Sequence, residues 1–240
     1  MNLKNNQETP ITINIGNARV TQEKDAKLLG MTFDDSLQWK SHLYGKGGLI
    51  SSLNSRMFMI RRLKNFLNHT ALLKIVDGLF TSKLRYGLQL MGKVRKSEDD
   101  PKNAELQAIQ KIQNKLARLM NNAKISDRIS SSTLLQNLGM LSVNQLNAQI
   151  KLSEMWKATN LPNYPTKFTS QDSVQGYTSC STRACSNGRL MEEGKKTLTL
   201  KTFKSDASRL WNSAPMEIKA CSTLASAKKE IKKFVKLLPV

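Results

Sequence analysis

The spacing of apolar and polar residues divides the chain into a short β region and a long helical region. Over residues 11–15, isoleucines alternate with polar residues, as they do on a half-buried strand, and the pair Gly16-Asn17 that follows suits a two-residue hairpin turn. A second apolar run extends from Leu28 to Phe33. We therefore predict a small β element made of strands within residues 1–35.

From residue 36 onward, apolar residues recur every three to four positions, which predicts amphipathic helices. The predicted helices extend from Leu49 to Leu67, His69 to Gly87, Asn103 to Ala123, Ser132 to Leu138, Ser142 to Thr159, Thr202 to Ser213 and Leu224 to Leu238. Residues 96–102 are polar and contain a proline, which predicts a loop. Residues 160–199 show no sustained period and are predicted as a long loop or a weakly ordered segment. The predicted fold class is mainly α with a small N-terminal β element.

Charge changes this picture, because the chain is strongly basic. It has 38 Lys and Arg residues against 18 Asp and Glu residues, a net charge of +20. Between Ser36 and Lys96, twelve basic residues stand against one acidic residue, Asp77. Such an excess favours a polyanionic partner, with nucleic acid ahead of an anionic membrane surface. The alternative is a basic surface that only keeps the protein in solution.

Nothing in the sequence indicates a membrane span or a secretory signal. No run of about 18 apolar residues is present, and the N-terminal residues lack the apolar core of a signal peptide. The three cysteines form an odd set, which favours a reducing compartment. We expect an intracellular protein, nuclear or cytoplasmic, that is neither secreted nor transmembrane.

Two predicted helices carry basic faces opposite their apolar stripes. Lys111, Lys115 and Arg118 lie at positions i, i+4 and i+7, amide side chains surround them, and no acidic residue occurs between Glu105 and Asp127. Cations and amides without carboxylates suit a phosphate backbone, since both groups donate hydrogen bonds. An ordinary solvated helix would instead show Glu–Lys pairs. The last helix repeats the arrangement with lysines, and such a helix could also lie on a membrane surface.

Basic residues also border the first long helix, where they either contact phosphates or cover the flanks of the apolar stripe with their aliphatic stems. The predicted nucleic-acid-binding residues are Lys27, Lys40, Arg56, Arg61, Arg62, Lys64, Lys111, Lys115, Arg118, Lys228, Lys229, Lys232 and Lys233. The predicted partner is RNA, DNA or an RNA–DNA hybrid. No small-molecule substrate is expected.

Catalytic and metal-binding motifs are weakly represented. Asp34-Asp35 invites comparison with a two-metal polymerase site, but Met-Thr-Phe precedes the pair and few residues lie upstream to supply a third carboxylate. We predict instead that one aspartate caps a helix that begins at Ser36. Cys180 and Cys185 lack the second pair or nearby histidine that a tetrahedral metal site needs. No catalytic residue, metal ligand or cofactor is predicted, and we do not expect the chain to be an enzyme.

The runs Lys27–Asp34 and Leu72–Gly87 resemble segments downstream of the catalytic palm in non-LTR, LINE-type reverse transcriptases of the jockey-like group. The run Lys27–Asp34, K-L-L-G-M-T-F-D, looks like the K-x-L-G-x-x-x-D element of that family's primer grip. The primer-grip-like residues are Leu29, Gly30 and Met31. The run Leu72–Gly87 is similar to the family's thumb helix, which ends S-x-L-x-Y-G, although Met91-Gly92 stands where W-G is usual.

Three further segments carry the same resemblance. Ile109–Arg118 looks like the helix L-Q-x-L-Q-N-R-A-x-R, and Leu134–Val143 matches the element L-L-x-x-L-G-x-L-S-V. Ala207–Ile218 is similar to R-L-W-N-S-L-P-x-x-I near the end of such polyproteins. The similar segments occur in the family's order and cover nearly the whole chain.

The resemblance implies a palm-edge remnant over residues 1–35, a thumb-like basic helical domain over 36–125 and a C-terminal helical lobe over 126–240. It implies a fragment of an RNA-directed DNA polymerase that holds the primer–template backbone without a catalytic centre of its own. Two alternatives stay open: a non-functional translated transposon remnant, and the tail of a longer, active reverse transcriptase.

Overall fold

The computed structural model describes residues 12–35, 38–165, 190 and 203–240, and it is mainly helical with two small N-terminal sheets. This architecture confirms the predicted fold class. Contacts divide the chain into two units, one ending at Leu49 and the other beginning at Ile50. None of the described helices is long and apolar enough to cross a membrane.

The first sheet of the N-terminal unit is the predicted hairpin. Strand β1 (Thr12–Ile15) pairs antiparallel with β2 (Ala18–Thr21), with Thr12 opposite Thr21. Gly16 has a φ of 60°, which is the left-handed conformation that a hairpin turn of this kind requires. Residue 11, the first position of the alternating pattern, lies outside the described residues.

The second sheet divides the apolar run Leu28–Phe33 between two strands. Strand β3 (Asp25–Leu28) and strand β4 (Met31–Asp34) form an antiparallel hairpin whose two-residue turn is Leu29-Gly30. Both turn residues have positive φ, 48° and 79°, as a type I′ turn requires. The turn interrupts the apolar run, and it leaves the Leu29 side chain 82% exposed while Met31 is buried.

Helix α1 (Lys40–Tyr44) follows the second hairpin. The helix predicted to begin at Ser36 was therefore placed too early, and Ser36 itself lies outside the described residues. Asp34 does accept a backbone hydrogen bond at this turn, from the Gln38 N–H at 2.8 Å, four residues ahead of it. The carboxylate organises the approach to α1 without capping its first turn.

The second unit contains the remaining helices: α2 (Leu49–Leu63), α3 (His69–Ile75), α4 (Ser82–Arg85), α5 (Ala104–Met120), α6 (Ser131–Asn137), α7 (Val143–Asn160), α8 (Phe203–Ser213), α9 (Met216–Lys219) and α10 (Leu224–Val235). A π-helical segment, Val76–Thr81, joins α3 to α4 without a break. The sequence predicted all of these helices except α9, with α3 and α4 as one helix and with ends that differ by a few residues. Gly87, with a φ of 72°, lies just beyond the end of α4.

Helix α7 is the centre of the second unit, where it packs against α5, α8 and α10. Its apolar residues Leu146, Leu152 and Trp156 are buried, but so are the polar residues between them. The N-terminus is fixed by a capping box in which Ser142 and Gln145 each accept a hydrogen bond from the other's backbone N–H. A helix buried on nearly all sides needs partners for every polar side chain.

The predicted domain boundary near residue 125 lies within this second unit. Helix α5 packs against both α6 and α7, so helices from the ranges 36–125 and 126–240 belong to one packed body. Of the segment predicted as irregular, residues 166–189 and 191–199 lie outside the described residues. Leu190 is described, and its backbone N–H and C=O both bond the side chain of Asn212.

Candidate nucleic-acid interface

The connector over residues 91–96 is held by side chains of α7 and α8. The Gly92 carbonyl accepts hydrogen bonds from Lys151 Nζ at 2.7 Å and Asn147 Nδ2 at 3.2 Å. Asn144 bonds both the N–H of Arg95, at 2.9 Å, and its C=O, at 3.0 Å. These side chains satisfy backbone groups that a neighbouring strand would otherwise satisfy, and so they fix an extended segment without a sheet.

A buried ion pair lies beneath this connector. Lys151 Nζ lies 2.7 Å from Asp206 Oδ2, and each side chain is 1% exposed. The same carboxylate accepts from the Val94 N–H at 2.9 Å and from Arg209 Nη2 at 2.8 Å. Arg209 also donates to the Val94 carbonyl at 2.6 Å. One carboxylate therefore joins α7, α8 and the connector.

Burial acts on the pKa of both members of this pair. Burial raises the pKa of Asp206, but the charge and hydrogen bond of Lys151, the Val94 N–H and the Arg209 hydrogen bond outweigh it, so the pKa lies below its ordinary value. Burial lowers the pKa of Lys151, and the attraction of Asp206 offsets only part of that effect. The carboxylate is accordingly ionised at neutral pH.

Gly92 cannot be replaced without strain. Its φ is 127°, and a Cβ atom at this position would lie 2.6 Å from Asn103 Nδ2, whose side chain caps α5 by accepting from the Leu106 N–H. We expect Gly92→Ala to destabilise the fold by more than about 1 kcal/mol, because both the backbone and the Asn103 cap must shift. Urea unfolding would measure this. Gly139→Ala is the matched control: its φ is 64°, but the space around it is open. Equal losses in the two variants would contradict the role of the Asn103 contact.

The acidic loop after the connector folds back on itself. Asp100 accepts from the backbone N–H groups of Lys96 at 2.7 Å and Ser97 at 3.3 Å. The hydrogen bond from Lys96 is the largest effect that holds the Asp100 pKa below its ordinary value. Arg95 donates to the carbonyls of Asp100 and Glu98 at 3.0 and 2.8 Å. The Asp100 carboxylate is thus engaged within the loop.

A cleft of about 250 Å³ lies between this connector, α5 and the start of α7. Among the described residues that line it are four cations, five amides and no Asp or Glu side chain. The cations are Lys93, Arg95, Lys102 and Lys111, and the amides are Asn103, Gln107, Gln110, Asn114 and Asn144. A concave surface rich in hydrogen-bond donors and free of side-chain carboxylates suits phosphate oxygens.

The positive charge of the cleft rests chiefly on its lysines. Lys102 and Lys111 are exposed and Lys93 is half-buried. Within the part of the chain that the structure describes, none of the three forms an ion pair. Arg95 differs, because its guanidinium is already bonded to the loop at Glu98 and Asp100. The lysines are therefore the cations that remain available to a ligand.

The amides of the cleft are oriented by the protein itself. Gln110 accepts from the Val143 N–H at 2.8 Å and donates to Asn114 Oδ1 at 2.8 Å. Gln110 thereby links α5 to the first turn of α7. The Asn114 oxygen is an acceptor in this bond, and the group that Asn114 offers to a ligand is its NH2 donor.

The basic face predicted on α5 is only partly available. Lys111 lines the cleft and Lys115 is exposed one turn further along the helix. The Arg118 guanidinium instead donates a hydrogen bond to the Ile129 carbonyl at 3.2 Å. The three residues share a helix as the spacing predicted, but only the two lysines offer a free charge to solvent.

Of the four cations predicted along α2, two are hydrogen-bonded within the fold and two are exposed. Arg56 donates to the Ser52 carbonyl at 3.3 Å within the helix, and Lys64 donates to the Leu119 carbonyl and to Asn122 Oδ1 at the end of α5. Lys64 therefore joins the end of α2 to the end of α5, whereas the Arg56 bond lies within α2. Arg61 and Arg62 are exposed.

The lysines predicted on α10 lie on its solvent side. Lys228, Lys229, Lys232 and Lys233 are exposed, whereas Ile231 and Val235 on the opposite side are buried. Lys233 is paired with Glu230 at 2.8 Å. Lys232 lines a second cleft, of about 290 Å³, together with Arg85, Gln149 and the carboxylate-bearing Asp77. The presence of Asp77 makes this second cleft less suited to a phosphate strand.

In the N-terminal unit, Lys27 and Lys40 are both exposed. The primer-grip-like residues Leu29, Gly30 and Met31 form the tight turn and the first residue of β4. Nothing in this unit tests their predicted role. Among the described residues, no three His, Cys, Asp or Glu side chains are placed to hold a metal ion. Cys180 and Cys185 lie outside the described residues.

Lys93 and Lys102 are the cleft residues that the sequence did not single out. Each flanks the acidic run Glu98–Asp100, so a window over this region shows nearly balanced charge. In the fold, the Asp100 carboxylate accepts hydrogen bonds within the loop and both lysines line the cleft, although the charge of Lys93 still helps to lower the Asp100 pKa. The sequence feature that could have drawn attention to this region is the alternation of the basic residues Lys93 and Arg95 around the apolar Val94.

Comparison with known proteins gives no relative: no family model, no curated protein and no solved structure matches this chain. The geometry of the described residues is therefore the basis on which a function can be proposed.

Proposed function

We propose that the second unit binds the backbone of a nucleic acid in the cleft between the 91–96 connector, α5 and α7. The observation that carries the proposal is the lining of this cleft, with four cations, five amides and no Asp or Glu side chain among the described residues. Of this lining, Lys93, Lys102, Lys111 and the NH2 group of Asn114 are the donors that can bond phosphates, and contacts to phosphates carry no sequence information, so binding is expected to be independent of sequence. The chain's charge of +20 supports a polyanionic partner.

The proposed ligand is RNA, DNA or an RNA–DNA hybrid. The resemblance to LINE-type reverse transcriptases supports the hybrid as the first ligand to test, since the similar segments belong to that family's primer grip, thumb and C-terminal region. We propose accordingly that the chain acts as a non-catalytic, nucleic-acid-binding part of an RNA-directed DNA polymerase. An intracellular location, nuclear or cytoplasmic, belongs to the same proposal.

Lysine footprinting would locate the interface. The chain is acetylated briefly with and without an excess of RNA–DNA hybrid, and the modified lysines are quantified by mass spectrometry. We expect protection of Lys93, Lys102 and Lys111, because bound phosphates cover their amino groups. Lys24 and Lys74, which are exposed and line neither cleft, serve as internal controls. Protection confined to the α10 lysines would place the interface elsewhere and contradict the proposed cleft.

A further inference from the structure

The C-terminal half of helix α2 and the turn that follows it expose two phenylalanines and two arginines. Phe58 is 61% exposed and Phe66, in the turn just after the helix, is 83% exposed. Arg62 lies four residues after Phe58 and four before Phe66, so Phe58 and Arg62 are neighbours on the helix surface. Arg61 and Met59 extend the same exposed surface. Apolar side chains scattered singly over a surface need no explanation, but this group is concentrated on one helix.

The orientation of α2 is fixed by its opposite side. Leu53 and Ile60 are fully buried, and Lys64 is bonded to the end of α5. The helix therefore cannot turn Phe58 inward without exposing its own core residues. Because one apolar side of α2 is already in the core, the exposed phenylalanines form a separate surface.

The charge around this surface points to an anionic partner. Between Gln38 and Val76 the sequence contains no Asp or Glu, so no acidic side chain of this stretch lies beside Arg61 or Arg62. Exposed aromatic rings flanked by unopposed arginines match single-stranded nucleic acid, whose bases offer flat π faces and whose phosphates lie beside them. A blunt duplex matches poorly, because pairing and stacking hide the base faces. A protein partner would need acidic groups to meet the arginines.

We propose that this face of α2 binds unpaired nucleotides, with bases stacked on Phe58 and Phe66 and adjacent phosphates bound by Arg61 and Arg62. The proposal rests on the proposed function for the class of ligand, and it adds a surface outside the cleft. The cleft recognises phosphates alone, whereas the α2 surface recognises a base that is free to stack. It predicts that binding to a single strand depends on the presence of bases.

The test compares two labelled oligomers of equal length and charge, a thymidine dodecamer and a dodecamer of abasic sites. Anisotropy titration of the full chain should show the thymidine oligomer bound about tenfold more tightly, as expected when a base stacks on an aromatic ring. The double variant Phe58→Leu/Phe66→Leu should bring this ratio close to one and leave affinity for the abasic oligomer unchanged. Leucine keeps the surface apolar, so the variant removes stacking in particular.

Two further variants sharpen the comparison. Phe66→Trp should keep the ratio, and the new indole fluorescence should be quenched by the thymidine oligomer but not by the abasic one. The double variant Ile125→Ala/Leu237→Ala removes apolar side chains that are similarly exposed elsewhere and should change nothing. Matching melting temperatures would show that all variants are folded.

The outcomes separate this inference from the proposed function. A ratio near one in the wild type, or a ratio that survives in the leucine variant, would overturn the stacking surface while backbone binding stands. Failure of the chain to bind either oligomer, together with failure to bind a hybrid, would overturn both proposals.

Discussion

Replacing Asp206 with alanine is expected to destabilise the second unit by about 3–5 kcal/mol, which is the usual cost of removing one partner of a buried ion pair. The substitution leaves the Lys151 ammonium, which is 1% exposed, without its counter-charge. It also removes the acceptor for the Val94 N–H and for Arg209. A loss of this size is a large share of the stability of a typical domain. Thermal unfolding followed by circular dichroism would measure it as a midpoint lowered by roughly 6–20 °C.

The matched control for Asp206→Ala is Glu230→Ala, which breaks the exposed pair with Lys233. That change should cost less than about 1 kcal/mol, because exposed ion pairs contribute little. The double substitution Lys151→Met/Asp206→Leu should recover part of the loss, since the buried Lys151 charge is removed together with its partner, although Arg209 and the Val94 N–H still lose their acceptor. Equal effects of Asp206→Ala and Glu230→Ala would contradict the central position of the buried pair.

The contribution of the Asp206 carboxylate to stability should also appear in the pH dependence of unfolding. The pKa of Asp206 is lowered in the folded state, so its contribution to stability is present above the unfolded pKa, about 3.9, and is lost as pH falls through the lower folded value. The free energy of unfolding should therefore fall below about pH 4 in the wild type. In Asp206→Asn this part of the acid dependence should be missing.

Removing the three available cations of the cleft is expected to produce the largest change in binding. In the variant Lys93→Gln/Lys102→Gln/Lys111→Gln, affinity for an RNA–DNA hybrid should fall on the order of a hundredfold at about 0.1 M salt. The plot of log affinity against log salt should become shallower by about 2.7, because three fewer counterions are released. Glutamine keeps the length and polarity of each position, so the change reports charge.

A control variant with the same net charge separates the site from the overall charge. Lys24→Gln/Lys46→Gln/Lys74→Gln removes three exposed lysines that line neither cleft. It should weaken binding severalfold through the long-range field and leave the salt dependence nearly unchanged. If the two triple variants lose equal affinity, the protein binds through diffuse charge and the cleft has no special role.

The amphipathic helices were predictable because each buries one stripe of apolar residues. Leu53 and Ile60 on α2, and Ile109 and Leu116 on α5, are buried as their spacing indicated. The burial of polar residues on helix α7 could not be predicted in this way. Lys151 is as buried as its apolar neighbours, because its partner Asp206 approaches from a helix that lies 55 positions further along the chain. No local sequence pattern predicts a partner so distant along the chain.

The hairpin at Leu29-Gly30 escaped prediction for a different reason. An apolar run with a single glycine has the composition of one strand, and the turn depends on positive φ at both central residues. In the candidate site, Lys111 followed from its helix face, whereas Lys93 and Lys102 did not. Their acidic neighbours nearly balance their charge in sequence, and only the fold shows that both lysines line the cleft.

The measurement that tests nucleic-acid binding most directly is an anisotropy titration of the full chain with a labelled RNA–DNA hybrid over a range of salt concentrations. The expected slope of log affinity against log salt is about −4 to −7, from roughly five to eight neutralised phosphates. Single strands of equal charge supply the comparison. A slope near zero, or no binding at low salt despite the charge of +20, would contradict the proposed function.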